Sequence, residues 1–304
     1  MSDFITGGLS SNVSFTAAWF TDAHMRTDEP RLTNLLVRRS ALITKLQSKQ
    51  FDVFIDSGDM LEGDTGGTPG SRGDLSAQYA LYAPIRAAHA KPDYFCLGNH
   101  DLIGMDTNDV LAAFDMPSRY YYIDQGSKWR LVFMDSFIHS GDEDPPYGLG
   151  ATQMTWLESV IADATAENRH VCLISHIPII SIGAMAWYIY NYQPNADAAA
   201  VWNNKVDQHG DAYALMELIR LNPCIKGAIS GHTHTCDECK YPAISVVNPS
   251  APITGALRPF KFLLGGSVSA FYWNTSNEWM KNYAGFNMLS FFEDGNIERQ
   301  ITYY

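Results

Sequence analysis

The chain has 304 residues, enough to bury a full core as one large domain or two small ones. With 46% hydrophobic and 18% charged residues, a disordered or fibrous protein is excluded. The 33 acidic side chains outnumber 21 basic ones and leave a formal charge of −12, the wrong sign for binding long nucleic acid, where Lys and Arg must displace counterions.

A small anionic substrate stays open, because bound divalent cations reverse a local field. The first residues, MSDFITGGLSSNVSF, lack a basic stretch leading into an apolar one, so no signal peptide is expected. No apolar run is long enough to span a bilayer, so no membrane partner is expected; the cytoplasm is the expected compartment, with a periplasmic or secreted form whose leader has been removed as the alternative.

In chain order, Val13–Thr21 reads as a buried strand that runs into Asp22-Ala23-His24. Arg31–Lys49 places Leu32, Leu35, Leu36, Leu42, Ile43 and Leu46 on a helical period. Phe51–Ser57 is a second apolar run, ending in Gly58-Asp59, and Asp93–Leu97 a third, ending in Gly98-Asn99-His100-Asp101. Arg130–Ser136 is strand-like, and Thr152–Glu167 is helical. His170–Ser175 runs into His176, Asp211–Leu221 is helical, and Cys224–Ser230 runs into Gly231-His232-Thr233-His234. Short apolar runs alternating with helices predict an α/β layer fold whose strands are covered on both faces.

Beyond Gly231 the texture changes to short strands, Ala243–Val247, Lys261–Leu264, Ser267–Trp273, Asn287–Phe292 and Ile297–Tyr303, with a hairpin turn at Glu293–Asn296. These strands, from about residue 243 to 304, are expected to complete a second sheet packed on the first. No linker divides the chain, so one domain over 1–304 is expected.

In open α/β sheets ligands sit beyond the carboxyl ends of the strands. The five polar loops all fall there, so Asp22, His24, Asp59, Asn99, His100, Asp101, His176, His232 and His234 are expected to converge. Mixed imidazole, carboxylate and amide donors without thiolate suit a pair of ions such as Mn, Fe or Zn rather than a closed structural zinc. Two such ions can clamp the attacking and leaving oxygens of an in-line displacement.

The series D-x-H, G-D, G-N-H-D, a lone His and G-H-x-H resembles the calcineurin-like metallophosphoesterases, and it stands here complete and in order. The resemblance implies a four-layer sandwich of two mixed β-sheets flanked by helices, and two divalent or di/trivalent metal ions. It implies that Asp22, His24 and His234 hold one ion, that Asn99, His176 and His232 hold the other, and that Asp59 bridges them. It further implies a metal-bridging hydroxide as nucleophile, His100 as general acid and Asp101 orienting the His100 ring. The activity implied is hydrolysis of a phosphate ester or anhydride. The G-N-H-D arrangement resembles the class III cyclic-nucleotide phosphodiesterases. The stretch Tyr147–Glu158 resembles the manganese-dependent ADP-ribose/CDP-alcohol diphosphatases. Both imply a small, nucleotide-like phosphorylated substrate. A phosphomonoesterase or protein phosphatase on the same site, and a non-catalytic scaffold of the same fold, are the alternatives.

Several residues stand outside the motifs. Arg26 reads either as a substrate-phosphate contact or as a solvated arginine, and Asp135-Ser136 as structural. Cys236 and Cys239 read as a loop disulfide or as two idle thiols. The aromatic stretch Ile182–Trp202 follows His176 and is placed to cover the site.

Overall fold

The structure is a computed structural model that describes residues 12–28, 31–63, 74–137, 148–179, 211–234, 237–240, 260–265 and 285–304. Its elements in chain order are β1 (Val13–Phe20), α1 (Arg31–Gln47), β2 (Val53–Asp56), α2 (Leu75–Ala87), β3 (Asp93–Phe95) and a 3-10 turn at His100–Leu102. There follow α3 (Thr107–Ala113), β4 (Tyr121–Gln125), β5 (Trp129–Phe133), α4 (Gly150–Ala166) and β6 (His170–Ser175). The last are α5 (Ala212–Leu221), β7 (Ile225–Ser230), β8 (Asp237–Lys240), β9 (Lys261–Leu264), β10 (Gly285–Phe292) and β11 (Ile297–Tyr303).

Two mixed sheets form, in the orders β11-β10-β1-β2-β3 and β4-β5-β6-β7-β9-β8. The central strands β1, β2 and β3 are mutually parallel, as are β5, β6, β7 and β9, while β4, β8, β10 and β11 pair antiparallel to their neighbours. Alternation along β5 and β6 separates the layers. Leu131, Phe133, Cys172 and Ile174 enter a core shared with β1, β2 and β10. Val132, Val171 and Leu173 face the other way, onto Leu157 and Ile161 of α4 and Leu215 and Ile219 of α5. Helices α1, α2 and α3 bring Leu42, Tyr82 and Val110 to the core of the first sheet. Helix, sheet, sheet and helix are thus stacked as four layers. Contacts between the sheets include Trp129 edge-on to Phe291, with ring centroids 5.0 Å apart, and Cys96, which donates to the Ile174 carbonyl. Each large apolar side chain buried in these layers contributes about 1.5–3 kcal/mol.

The C-terminal strands correct one expectation, because they do not build a single sheet. β9 runs parallel beside β7 in the second sheet, but β10 and β11 complete the first. β10 lies antiparallel along β1 from Val13↔Phe292 to Trp19↔Asn287, which supplies hydrogen-bond partners to a β1 edge that would otherwise be open. The hairpin turn at Glu293–Asn296 is present: Gly295 has φ +88° and Asn296 N–H donates to Asp294 Oδ1 at 2.9 Å. Ala243–Val247, Ser267–Trp273 and Ile182–Trp202 lie outside the described residues.

Helix α2 is not signalled by the sequence pattern, since Pro84 sits inside it and breaks the expected helical reading. It forms because Asp74 caps its N-terminus, accepting from Ala77 N–H at 2.9 Å, and because Tyr82 and Ile85 are buried. Helix α4 starts at Gly150, earlier than the period suggests. Asp211 arrives from α5 and accepts from the N–H groups of Leu149 and Gly150 at 2.5 and 3.2 Å. Among the described residues, no helix is long and apolar enough to cross a membrane.

Candidate metal centre

The motif loops follow the carboxyl ends of β1, β2, β3, β6 and β7, and the structure brings them to one place. The loops after β1 and β2 run side by side. Asp22 N–H donates to Gly58 O, and His24 N–H to Asp59 O, both at 2.9 Å. The loop after β7 joins them from the second sheet: Gly231 N–H donates to His176 O at 3.1 Å, and His232 N–H to Asp22 Oδ1 at 3.1 Å.

Two glycines make this approach possible. A Cβ on Gly58, at φ +103°, would lie 2.8 Å from His176 Nδ1, and one on Gly98 would lie 2.1 Å from Asp59 Oδ1. The backbone is also strained at the donors themselves. Asp22, His24, Asp59, His232 and His234 all have φ between 46° and 68°. Such values are uncommon for non-glycine residues and concentrate at functional sites. Among the described residues, the other two left-handed non-glycine residues, Asp115 and Asn168, follow the ends of α3 and α4, where helix termination accounts for them.

Among the described residues the donor atoms fall into three overlapping groups: Asp22, His24 and His234; His24, Asp59 and His100; and Asp59, His176 and His232. On one side His24 Nε2 lies 3.1 Å from His234 Nε2, and His234 Nε2 lies 3.2 Å from Asp22 Oδ1. On the other, His232 Nδ1 and Asn99 Oδ1 are 3.1 Å apart, and Asp59, His176 and His232 offer donors within 4.8 Å of one another. Asp59 Oδ2 lies between these two sides, 3.6 Å from His24 Nε2 and 3.2 Å from His176 Nε2. The other oxygen, Oδ1, accepts from His100 N–H at 2.8 Å.

These residues fit a pair of cations. His176 Nδ1 is engaged by the Ser57 carbonyl at 2.9 Å, which assigns the proton to Nδ1 and directs the Nε2 lone pair inward. That Nε2 is buried and faces the Asp59 carboxylate, 3.2 Å from its Oδ2. Two imidazole Nε2 atoms pointing at each other beside two buried carboxylates form a donor set that a cation completes.

Electrostatics agree. Burial acts to raise the pKa of Asp22, but the neighbouring His234 outweighs it and brings it to about 2. Burial likewise opposes the ionisation of Asp59, yet His176 holds it well below the usual carboxylate range. Burial acts to lower the pKa of His176, but Asp59 raises it to about 9. His234 is raised by Asp22 against the opposing effect of burial. The carboxylates of Asp59 and Asp22 thus favour a positive charge at His176 and His234, whereas burial lowers the pKa of His24.

The model of calcineurin-like phosphoesterases matches residues 16–236, well over half of the chain and every motif loop. The chain belongs to the calcineurin-like phosphoesterase family. It is 24% identical over 185 residues to a manganese-dependent ADP-ribose/CDP-alcohol diphosphatase of Oryza sativa subsp. japonica, covering 47% of this chain and 52% of the relative. The alignment thus spans about half the length of that rice relative. It is also 25% identical over 247 residues to the 3',5'-cyclic adenosine monophosphate phosphodiesterase CpdA of Vibrio vulnificus, covering 79% of this chain and 76% of the relative. Its fold superimposes with a TM-score of 0.65 on a dimetal phosphatase from Danio rerio, at 14% identity and covering 96% and 97% of the two chains.

Within this calcineurin-like phosphoesterase the role expected of Asp101 needs correction. The 3-10 turn carries its side chain away from the His100 ring and back under the loops. There its carboxylate accepts from the N–H groups of Asp59, Leu61 and Gly98 at 2.9, 2.8 and 2.8 Å. Asp101 ties the loop after β2 to the loop after β3, and its effect on His100 runs through the backbone. The His100 ring is held instead at Nδ1 by the Glu62 carbonyl, at 2.9 Å.

Glu62 is the residue that the motif series misses. It is fully buried, and its Oε2 lies 3.0 Å from His24 Nδ1. Its only sequence signal is an acid three residues after Asp59, followed by Gly63 at φ +68°. Arg26 is not a solvated arginine: it is 5% exposed and paired with Asp28 and Glu62. Asp135 is buried and paired with Arg119. The side chains of Cys236 and Cys239 lie outside the described residues.

The raised His176 pKa has a measurable consequence. With a value near 9, the metal-free ring carries a proton at pH 7.5, and an ion bound at Nε2 must displace it. Titration of metal-free protein with Mn²⁺ in buffers of different ionisation enthalpy is expected to show net proton release, with affinity weakening as pH falls. A titration without proton release would contradict this assignment.

Proposed function

We propose that this protein hydrolyses a phosphodiester or pyrophosphate bond of a small, nucleotide-like substrate at a dinuclear metal centre. The observation that carries the reading is Asp59 Oδ2, one carboxylate oxygen within 3.6 Å of His24 Nε2 and 3.2 Å of His176 Nε2, between two otherwise separate donor groups. Asp22, His24 and His234 would hold one ion, Asn99, His176 and His232 the other, with Asp59 common to both. When bound, such a pair supplies Lewis acidity toward phosphoryl oxygens and lowers the pKa of water.

The chain's own residues account for the rest. Because the Glu62 carbonyl can only accept, His100 keeps its proton on Nδ1, and Nε2 is the nitrogen presented to a substrate. In the imidazolium form, Nε2 donates to the leaving oxygen as the P–O bond breaks. Asp101 and Asp59 Oδ1 fix the backbone on which His100 rides. The relatives named as an ADP-ribose/CDP-alcohol diphosphatase and a cyclic-nucleotide phosphodiesterase support the nucleotide-like class.

The test is turnover with added Mn²⁺ on bis(p-nitrophenyl) phosphate, p-nitrophenyl phosphate, cAMP and ADP-ribose. Higher kcat/KM on a diester or pyrophosphate than on the monoester is the expected result. Turnover confined to the monoester would overturn the substrate class, and inactivity on all four with both ions bound would favour a non-catalytic scaffold.

A further inference from the structure

Arg26 lies two residues beyond His24 but reaches the metal centre by an indirect route. Its Nε and Nη2 hold the Asp28 carboxylate, the latter at 2.7 Å, and its Nη1 lies 3.0 Å from Glu62 Oε1. The other oxygen of Glu62 lies 3.0 Å from His24 Nδ1. A chain of four side chains, Asp28–Arg26–Glu62–His24, thus runs from a partly exposed carboxylate to a buried imidazole whose far nitrogen faces His234, Asp22 and Asp59.

The backbone sets this chain up. Met25 N–H donates to Met60 O at 3.0 Å and Glu62 N–H to Met25 O at 3.1 Å, so the segments after β1 and β2 place Arg26 and Glu62 side by side. Gln78 of α2 accepts a second backbone bond there, from Gly63 N–H at 3.2 Å, along with one from Glu62 N–H at 2.9 Å. The segment is therefore anchored independently of the side-chain pairing.

An imidazole holds a cation at one nitrogen only when its proton sits on the other, and the partner of the far nitrogen decides which is which. A carboxylate beside His24 Nδ1 selects the Nδ1–H form and leaves the Nε2 lone pair for an ion. Glu62 can do so only while its carboxylate is held with Oε2 toward the ring. Arg26, gripping Oε1, holds it there, and its planar fork engages Asp28 with the remaining nitrogens. Three nitrogens committed to two carboxylates give Arg26 a supporting task rather than a phosphate-binding one.

We infer that Arg26 is a positioning residue for the metal ligand His24, acting through Glu62. The inference rests on the dinuclear reading above and assigns to one of the two ions a dependence that the other lacks. The His176 side is oriented separately, by the Ser57 carbonyl.

The test compares wild type, Arg26→Met, Arg26→Lys and Asp28→Asn as metal-free proteins. Each is titrated with Mn²⁺ against a chromogenic chelator, and ¹⁵N spectra of the histidine rings report tautomers. In Arg26→Met one Mn²⁺ affinity is expected to fall about 10–100-fold, the range for loss of an outer-shell partner. The other affinity should be little changed, and one ring should lose its single Nδ1–H signature. Arg26→Lys should recover part of the loss. Asp28→Asn should show a smaller loss in the same direction, which keeps the test intact if Arg26→Met does not fold. Wild-type affinity for both ions in all variants, or equal weakening of both, would overturn the inference. A wild type that takes up no Mn²⁺ would instead overturn the dinuclear reading on which it rests.

Discussion

Replacing Asp59 with Asn is expected to lower kcat/KM by more than about 100-fold, beyond the usual cost of losing an outer-shell partner, and to lower metal content as well. The substitution keeps the size of the side chain, so the result reports charge rather than a cavity. Among the described residues, Asp59 Oδ2 is the carboxylate oxygen near both His24 and His176, and the carboxylate opposes the clustered imidazoles from a fully buried position. An amide there leaves no anion for the two sides to share, and bringing two cations together without one is costly in a water-poor site. The backbone bond from Asp59 N–H to Asp101 does not depend on the side chain, so the loops should stay in place. Steady-state kinetics beside metal analysis checks this. An Asp59→Asn variant with near-normal turnover and both ions would show that Asp59 does not bridge.

Replacing His100 with Ala is expected to slow kcat by about 10²–10⁴-fold while both ions remain bound, the usual range for a general acid. That range corresponds to about 3–5 kcal/mol in the barrier. The ring stacks edge-on to His24, with centroids 4.7 Å apart, and is held at Nδ1 by the Glu62 carbonyl. Its support is thus separate from the donors that face the ions. The loss should be smaller for p-nitrophenyl esters, whose leaving group needs little protonation, than for nucleotide anhydrides. The competing possibility is visible in the geometry, since His100 also lies within donor range of His24 and Asp59. Loss of an ion in the variant would move His100 into the ligand set and remove its role as acid.

The site is legible in the sequence for a physical reason. Strands buried on both faces are written as unbroken apolar runs, so the point where each run stops marks a carboxyl end, and the polar residues just beyond it lie at the shared edge. Asp22, Asp59, Asn99, His176 and His232 each follow such a stop, and all five converge. Periodicity carries less about partners. The alternation in β10 marks which residues face the core, but nothing in it selects β1 rather than β9 as neighbour, which is why sequence reasoning assigns β10 and β11 to the wrong sheet. Adjacency misleads for Asp101. A tight turn between neighbours sends their side chains apart, and the carboxylate goes to three backbone N–H groups. Glu62 and Arg26 are hidden because a lone acid or base in a loop has no period and no motif. Their burial and their pairing with each other are visible only in the folded chain.

Elemental analysis of the purified protein, after reconstitution with Mn²⁺ and removal of loose ions, tests the central claim most directly. Close to two ions per chain, with hydrolysis of a phosphate ester that chelation abolishes and Mn²⁺ restores, is the result predicted by two donor groups meeting at Asp59. A chain that retains no ion after reconstitution and hydrolyses none of the esters would contradict it.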